Sequence, residues 1–183
     1  MSGLPLLTAR LLIRSFVPDD VAALSMLYGD PRVMRYVGIG VPLTPDETRD
    51  ALERIMRDEQ RHGFAAWAVT RRGADDLIGE AGLQLLEGGR EVELTYLFSP
   101  AAWGKGYASE AAAAVLDYGF TELGLSRVVA VAYPANAASL AVLRKLGMRS
   151  EGVAHHYGGD LLKFALLRDD WQASRAGRPS ASS

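Results

Sequence analysis

The chain has no cysteine, which removes disulfides, thiolate metal ligands and a cysteine nucleophile from consideration and fits a reducing compartment. Its three histidines, His62, His155 and His156, have no carboxylate or further histidine at metal-ligand spacing, so no metal is expected. No stretch approaches the roughly 18 consecutive apolar residues of a membrane-spanning helix. The first dozen residues carry Pro5 and Arg10 and no small-residue cleavage site, unlike a secretory signal. Neither sign of charge dominates, with 20 Lys and Arg against 22 Asp and Glu, so nothing argues for a nucleic-acid or membrane-surface partner. A cytoplasmic protein is the expectation. No internal repeat is visible, and the one biased segment is Ala173 to Ser183, rich in Ser, Arg, Ala and Gly, expected to be a disordered tail.

What remains is a chain of 183 residues, 49% hydrophobic, of a size for one core. Leu11 to Ile13 predicts a first strand. Pro18 with Asp19 and Asp20 opens a helix running from Val21 to Tyr28, and Asp30-Pro31 opens a short helical piece to Met34. Thr44-Pro45-Asp46-Glu47 has the form of a capping box, and the helix it starts ends at Gly63. Three short-linked strands follow, Phe64 to Thr70, Leu77 to Leu86 and Val92 to Phe98, and predict an antiparallel meander. A helix from Ala108 to Leu123 and a strand from Arg127 to Tyr133 make a right-handed crossover between parallel neighbours. After a helix from Ala137 to Leu146, two strands, Arg149 to His156 and Leu161 to Leu167, join at Tyr157-Gly158-Gly159-Asp160 as a hairpin. The expected product is a mixed sheet with helices on its faces.

Between the third strand of the meander and the following helix stands Trp103-Gly104-Lys105-Gly106-Tyr107-Ala108-Ser109-Glu110. Two glycines one residue apart bring the backbone close to a ligand, and the helix start supplies unpaired N–H groups at the positive end of its dipole. Lys105 adds a point charge, so the junction suits a phosphate. Neither a P-loop nor a dinucleotide fingerprint is present: the first lacks its Gly-Lys-Ser/Thr, and the second needs a small third residue where Ser109 stands. A second constellation follows one helix and one strand later, Asn136-Ala137-Ala138-Ser139 closing at Lys145-Leu146-Gly147-Met148. Asn136 is an N-cap and Gly147 a C-terminal cap, which a plain helix would also explain.

Together with Glu93-Leu94-Thr95-Tyr96 and Pro100, these motifs resemble the GNAT superfamily of acyl-CoA-dependent N-acyltransferases, and within it the ribosomal-protein-acetylating RimJ/RimL branch. The resemblance spans about Leu6 to Trp171. It departs at Trp103, where the wider superfamily has Arg or Gln. It implies one acyltransferase domain over residues 6–171, with an α/β (α+β), mostly antiparallel seven-stranded sheet whose splayed parallel strand pair holds acetyl-CoA. Leu97, Phe98 and Ser99 would pair through their backbone with the pantetheine arm. Gly104, Lys105, Gly106, Tyr107, Ala108 and Ser109 would wrap the pyrophosphate, Asn136 would bond the arm, and Arg144 or Lys145 would reach the ribose phosphate. The activity implied is acetyl transfer from acetyl-CoA to a primary amine, on a protein N-terminus or a small molecule, by direct attack in a ternary complex.

Such chemistry needs a base, an oxyanion donor and an acid at sulfur. Glu93 is the family's base position, although alternation also puts it in a row with Glu91 and Thr95 that a solvated strand face would explain. A tyrosine that many superfamily members use as acid is replaced here by Leu143, and Ser139 matches the serine of the RimJ/RimL branch. Acceptor-side candidates are Tyr28, Met34, Arg35 and Tyr36 near the first helices, and His155, His156 and Tyr157 before the last turn, with either histidine an alternative base. The acceptor itself and the oligomeric state are not specified, a homodimer being compatible, and a catalytically silent acyl-CoA-binding module is the competing reading.

Overall fold

The computed structural model describes residues 3–176. One sheet organises them, in the spatial order β1 (Leu6–Leu7), β2 (Leu11–Arg14), β3 (Ala66–Arg71), β4 (Leu77–Leu85), β5 (Val92–Phe98), β6 (Arg127–Ala132), then β8 (Gly159–Leu167) and β7 (Arg149–His156) at the far edge. There are eight strands where seven were expected, because Leu6 and Leu7 pair with Ile13 and Leu12 across a tight turn. The meander β3–β4–β5 is antiparallel as its short links require. The final hairpin turns on two residues, Tyr157 and Gly158, both with positive φ, at 52° and 75°, so Gly159 and Asp160 belong to β8 rather than to the turn.

The helices form where their caps were legible. Helix α1 (Val21–Tyr28) follows a 3-10 turn at Pro18–Asp20, and α2 (Pro31–Met34) is capped by the Asp30 side chain. Helix α3 (Pro45–His62) carries the full Thr44/Glu47 capping box and stops at Gly63, φ 79°. These three cover one face of the sheet, where Leu24, Leu27, Met34, Leu52 and Leu97 form a core. The opposite face is covered by α4 (Tyr107–Thr121) and α5 (Ala137–Lys145), against which Leu83, Leu94, Val115, Leu116, Phe120 and Leu143 pack. A further helix, α6 (Arg168–Ala176), takes in Ala173 to Ala176, which the composition had assigned to the tail, and is held by Trp171 Nε1 donating to Asp117 at 2.7 Å. Residues 177–183 of that tail lie outside the described residues.

Strands β5 and β6 are parallel and share a single register pair, Glu93 with Val129. Beyond it they separate, while β6 stays fully paired to β8 from Arg127 to Ala132. The sheet is therefore opened between β5 and β6, and closed everywhere else by tight ladders.

At Gly82 on β4, an added Cβ would stand 2.1 Å from the Ala65 carbonyl oxygen and 2.6 Å from Ala66 Cα. Both are backbone atoms of the neighbouring chain segment, so Gly82→Ala is expected to force β3 and β4 apart and to cost about 3 kcal/mol or more. A thermal melt of the variant against wild type checks this, a Tm within about 2 °C of wild type being the contrary result.

Candidate active site

The opening between β5 and β6 exposes main-chain groups whose direction follows from the ladder with β4. Leu86 N–H donates to the Glu91 carbonyl and Ser99 N–H to the Ile78 carbonyl, each at 2.9 Å. In an antiparallel pair the hydrogen-bonded positions alternate, so Glu93, Thr95, Leu97 and Ser99 spend their backbone groups on β4. Leu94, Tyr96 and Phe98 turn theirs toward β6. Past the register pair nothing on β6 meets them, and Trp103 Nε1 donates to the Phe98 carbonyl at 2.7 Å. Of the three residues expected to offer backbone to a ligand arm, Phe98 is therefore in position. Leu97 and Ser99 are corrected to β4-facing positions, and Tyr96 takes their place.

At the end of β5 the chain enters the glycine turn. Gly104 and Gly106 have φ of 72° and 79°, a left-handed backbone that side chains resist. Gly106 is the N-cap of α4 and no side chain caps that helix, which leaves the first N–H groups, from Tyr107 onward, for a ligand. The turn is held from outside. Arg10 donates from Nη1 to the Lys105 carbonyl at 2.9 Å and from Nε to Glu110 Oε2 at 2.7 Å, with its guanidinium 4.6 Å from the Tyr107 ring centroid. Glu110 also accepts from Thr8 Oγ1 at 2.6 Å and from the Arg10 N–H at 2.9 Å. Glu110 thus ties the β1–β2 turn to the first turn of α4, and Lys105 projects from the exposed loop.

Helix α5 approaches the opening on the same face. Asn136 Oδ1 accepts from the Ser139 N–H at 3.1 Å as its cap. Ser139 Oγ lies 2.9 Å from the Tyr96 hydroxyl, which is also 3.3 Å from the Ser139 carbonyl. Burial pushes the Tyr96 phenol up to about 12, so it is a neutral hydrogen-bonding group. Leu143 is buried, and Arg144 and Lys145 are exposed on the outer side of α5, away from the opening.

On the other face stand two buried carboxylates. Glu93 is 4% exposed, which removes the solvated-row alternative. Burial raises its carboxyl above the usual range, opposed by hydrogen bonds from Gln84 Nε2 at 2.9 Å and from the Tyr157 hydroxyl. The left-handed backbone of Tyr157 aims its ring there, and Gln84 Nε2 is also 3.1 Å from the Tyr157 oxygen. Glu80, on β4 and 4% exposed, accepts from the Tyr28 hydroxyl at 2.8 Å, and burial pushes it up to about 7.

A continuous cleft of about 1190 Å³ joins these parts. Its walls include Tyr28, Met34, Arg35, Tyr36, Glu80, Gln84 and Glu93 from one face and Tyr96, Phe98, Gly104, Ala108, Asn136 and Ser139 from the other. It passes through the sheet at the opening. Leu97 and Tyr157 also line it, whereas Ser99, Lys105, Gly106, Tyr107, Ser109 and Arg144 do not; of these, Lys105 to Tyr107 and Ser109 flank its end on the glycine turn. His155 is exposed beside Asp160 at 2.9 Å, and His156 stands off the cleft with its charge felt by Glu93. Neither histidine lines the cleft, although His156 is near enough to Glu93 to act on its carboxyl. Sequence reasoning missed Glu80, Gln84 and Arg10, and did not assign Tyr96; the only signal for them is strand parity, which needs the register.

The family model described as an acetyltransferase (GNAT) domain matches residues 10–149. The chain belongs to the GNAT acetyltransferase family. It is 34% identical over 170 residues to the Bacillus subtilis protein named uncharacterized N-acetyltransferase YnaD, covering 90% of this chain and 97% of that one. It is 37% identical over 145 residues to the spermidine N(1)-acetyltransferase of Escherichia coli K12, covering 79% and 75%. Among solved structures, a GNAT-family acetyltransferase from Bacillus anthracis superposes with a TM-score of 0.78 at 34% identity, over 90% of this chain and 98% of that one. RimL, the ribosomal L7/L12 α-N-protein acetyltransferase, in complex with coenzyme A, shares the fold with a TM-score of 0.77 at 19% identity, over 91% and 98%. The sheet opened at β5 and β6 is therefore that of a GNAT acetyltransferase, and no helix among the described residues is long and apolar enough to cross a membrane.

Because Glu80 is raised from the ordinary 4.5 to about 7 in the folded protein, the native state holds its proton more tightly than the unfolded chain. Its contribution is fully favourable below about pH 4.5 and is lost as pH rises through 7. A shift of that size is worth about 3 kcal/mol. Glu80→Gln, which does not titrate, is expected to gain stability over wild type by up to that amount between acid and pH 8 in urea denaturation; a pH-independent difference contradicts the assignment.

Proposed function

We propose that this GNAT protein transfers an acetyl group from acetyl-CoA to a primary amine by direct attack in a ternary complex. The observation that carries the reading is the cleft through the sheet, with a buried carboxylate on one face and a hydroxyl pair on the other. Acyl donor and amine can then meet in the opening from opposite sides. The N–H groups of Tyr96 and Phe98 and the Tyr96 carbonyl suit the amide-bearing arm of the donor, the Phe98 carbonyl being taken by Trp103 Nε1, and the uncapped start of α4 with Gly104 to Ser109 suits its pyrophosphate. That the RimL structure, of the same fold, is a complex with coenzyme A supports a CoA thioester as the donor.

Glu93 takes the proton from the acceptor ammonium, whose ordinary pKa of about 10 for a lysine-like amine or about 8 for a chain terminus keeps it charged at neutral pH. Burial brings the carboxylate closer to its working pH, and Gln84 and Tyr157 hold it in place. The freed amine attacks the thioester carbon; a backbone N–H at Tyr96 or Phe98 stabilises the oxyanion. As the carbon–sulfur bond breaks, its electron pair goes to sulfur, which accepts a hydrogen bond from the Ser139 hydroxyl, and the second proton of the attacking nitrogen passes through solvent to the thiolate, giving amide and CoA thiol. Tyr96 positions that hydroxyl by donating to its oxygen, which leaves the serine proton for sulfur. A thiol pKa of about 8.5 makes the thiolate a fair leaving group, so this assistance is modest.

Release of CoA thiol over a panel of amines tests the proposal; binding of CoA without thiol release from any acceptor contradicts it. Glu93→Gln is expected to lower kcat by about a hundredfold or more with acetyl-CoA affinity within about twofold of wild type, and parallel loss of both would make Glu93 structural. In a double-mutant cycle, Tyr96→Phe and Ser139→Ala should each reduce kcat by about tenfold, and together by little more than Ser139→Ala alone. Multiplicative effects would show that Tyr96 does not act through Ser139.

A further inference from the structure

Glu80 has no part in the transfer chemistry, yet it is among the most deeply buried acids of the molecule and it lines the acceptor side of the cleft. Its one hydrogen bond is from the Tyr28 hydroxyl to Oε2. No cation stands beside it among the described residues: Arg54, at the exposed rim, weighs on the Tyr28 phenol and not on the Glu80 carboxylate. Burying an acid without a cation is costly unless it keeps its proton, and a buried acid that lines a cleft is placed to take up a cation carried by a ligand.

The register places Glu80 relative to the reacting centre. Glu80 pairs with Leu97 and Gln84 with Glu93, and cross-strand partners point to the same face, so Glu80 and Glu93 lie on one surface, four residues apart along the ladder. At about 3.3 Å per residue that is about 13 Å. On this surface the register sets Thr95 between Glu93 and Leu97, and the cleft is also lined by Val33, Met34, Ala66 and Leu97, so that the stretch is mostly apolar and suits methylene groups, with one hydroxyl on the way.

Resting on the acetyl-transfer reading above, we propose that Glu80, with Tyr28, is the binding site for a second ammonium group of the acceptor, making the substrate class linear diamines and polyamines. The acceptor lies along the β4–β5 surface with its reacting amine at Glu93, its methylenes on the apolar stretch and its far cation on Glu80. Arg35 and Arg54 line the cleft from its exposed rim, and Arg54 is near enough to bear on the Tyr28 phenol.

The test compares nonylamine with 1,8-diaminooctane, equal in reach and differing in that a methyl group stands in place of the second amine. In the full-length wild-type protein at pH 8 the ratio of kcat/KM, diamine over monoamine, is expected to be roughly ten to a hundred, the value of one charge-assisted hydrogen bond. Glu80→Gln should bring that ratio to within about twofold of one through loss of the diamine rate, with a melting curve confirming that the variant is folded. A wild-type ratio near one, or a ratio that Glu80→Gln leaves unchanged, overturns the proposal while leaving acetyl transfer intact. Absence of thiol release with any amine, spermidine and an unblocked peptide included, overturns the acetyl-transfer reading itself.

Discussion

The interrupted pairing of β5 with β6 is the constraint on which the rest of the site depends. Backbone N–H and carbonyl groups inside a protein must find partners, and here Tyr96 and Phe98 are turned by the β4 ladder toward a strand that has already moved away. The protein tolerates this because the opening is narrow, bounded by the Glu93–Val129 pair at one end and roofed by α4 and α5 on one side and α1 to α3 on the other. A ligand that brings its own amide groups completes the sheet. On the proposed reading the donor serves as the missing piece of strand, and the two faces of the sheet become the two sides of a reaction.

Everything else in the site is arranged around that gap. The glycine turn follows directly from the open end of β5, and Arg10 and Glu110 fasten it from a distant turn, so the phosphate end of the cleft is set by contacts outside the binding surface. Ser139 is presented by a helix whose own cap, Asn136, fixes the first turn. Glu93 is held by Gln84 on β4, by Tyr157 at the tip of the last hairpin and by the Val131 backbone on β6. The strained backbone of Tyr157 is the one place where a bulky residue accepts a left-handed conformation, and its hydroxyl lands on the carboxylate; such strain at a site is what a functional constraint leaves behind.

Much of this was legible from the residues. Caps and turn residues located α1 to α5 to within a residue or two, and the short links between Phe64 and Phe98 required a meander. The glycine turn and Asn136–Ser139 marked both ends of the donor side because their chemistry is local. The acceptor side was not legible, because it depends on which strand faces meet. Glu80 reads as one more polar residue in Gly79-Glu80-Ala81 until the register sets it beside Tyr28, which is 52 positions away. Likewise His155 and His156 share a hairpin with Tyr157, but of the three only the tyrosine reaches Glu93 with a hydrogen bond. The short strand Leu6–Leu7 and helix α6 escaped because two residues carry no period and because the composition near Ala173 resembles a tail.

The central claim is that the donor completes the sheet between β5 and β6, and amide hydrogen exchange measured residue by residue with and without coenzyme A tests it most directly. The account predicts that coenzyme A slows exchange at the Tyr96 and Phe98 amides, with little change at Thr95, Leu97 and Ser99, which already bond β4. Protection confined to the glycine turn, or spread evenly along β5 without regard to parity, would contradict it.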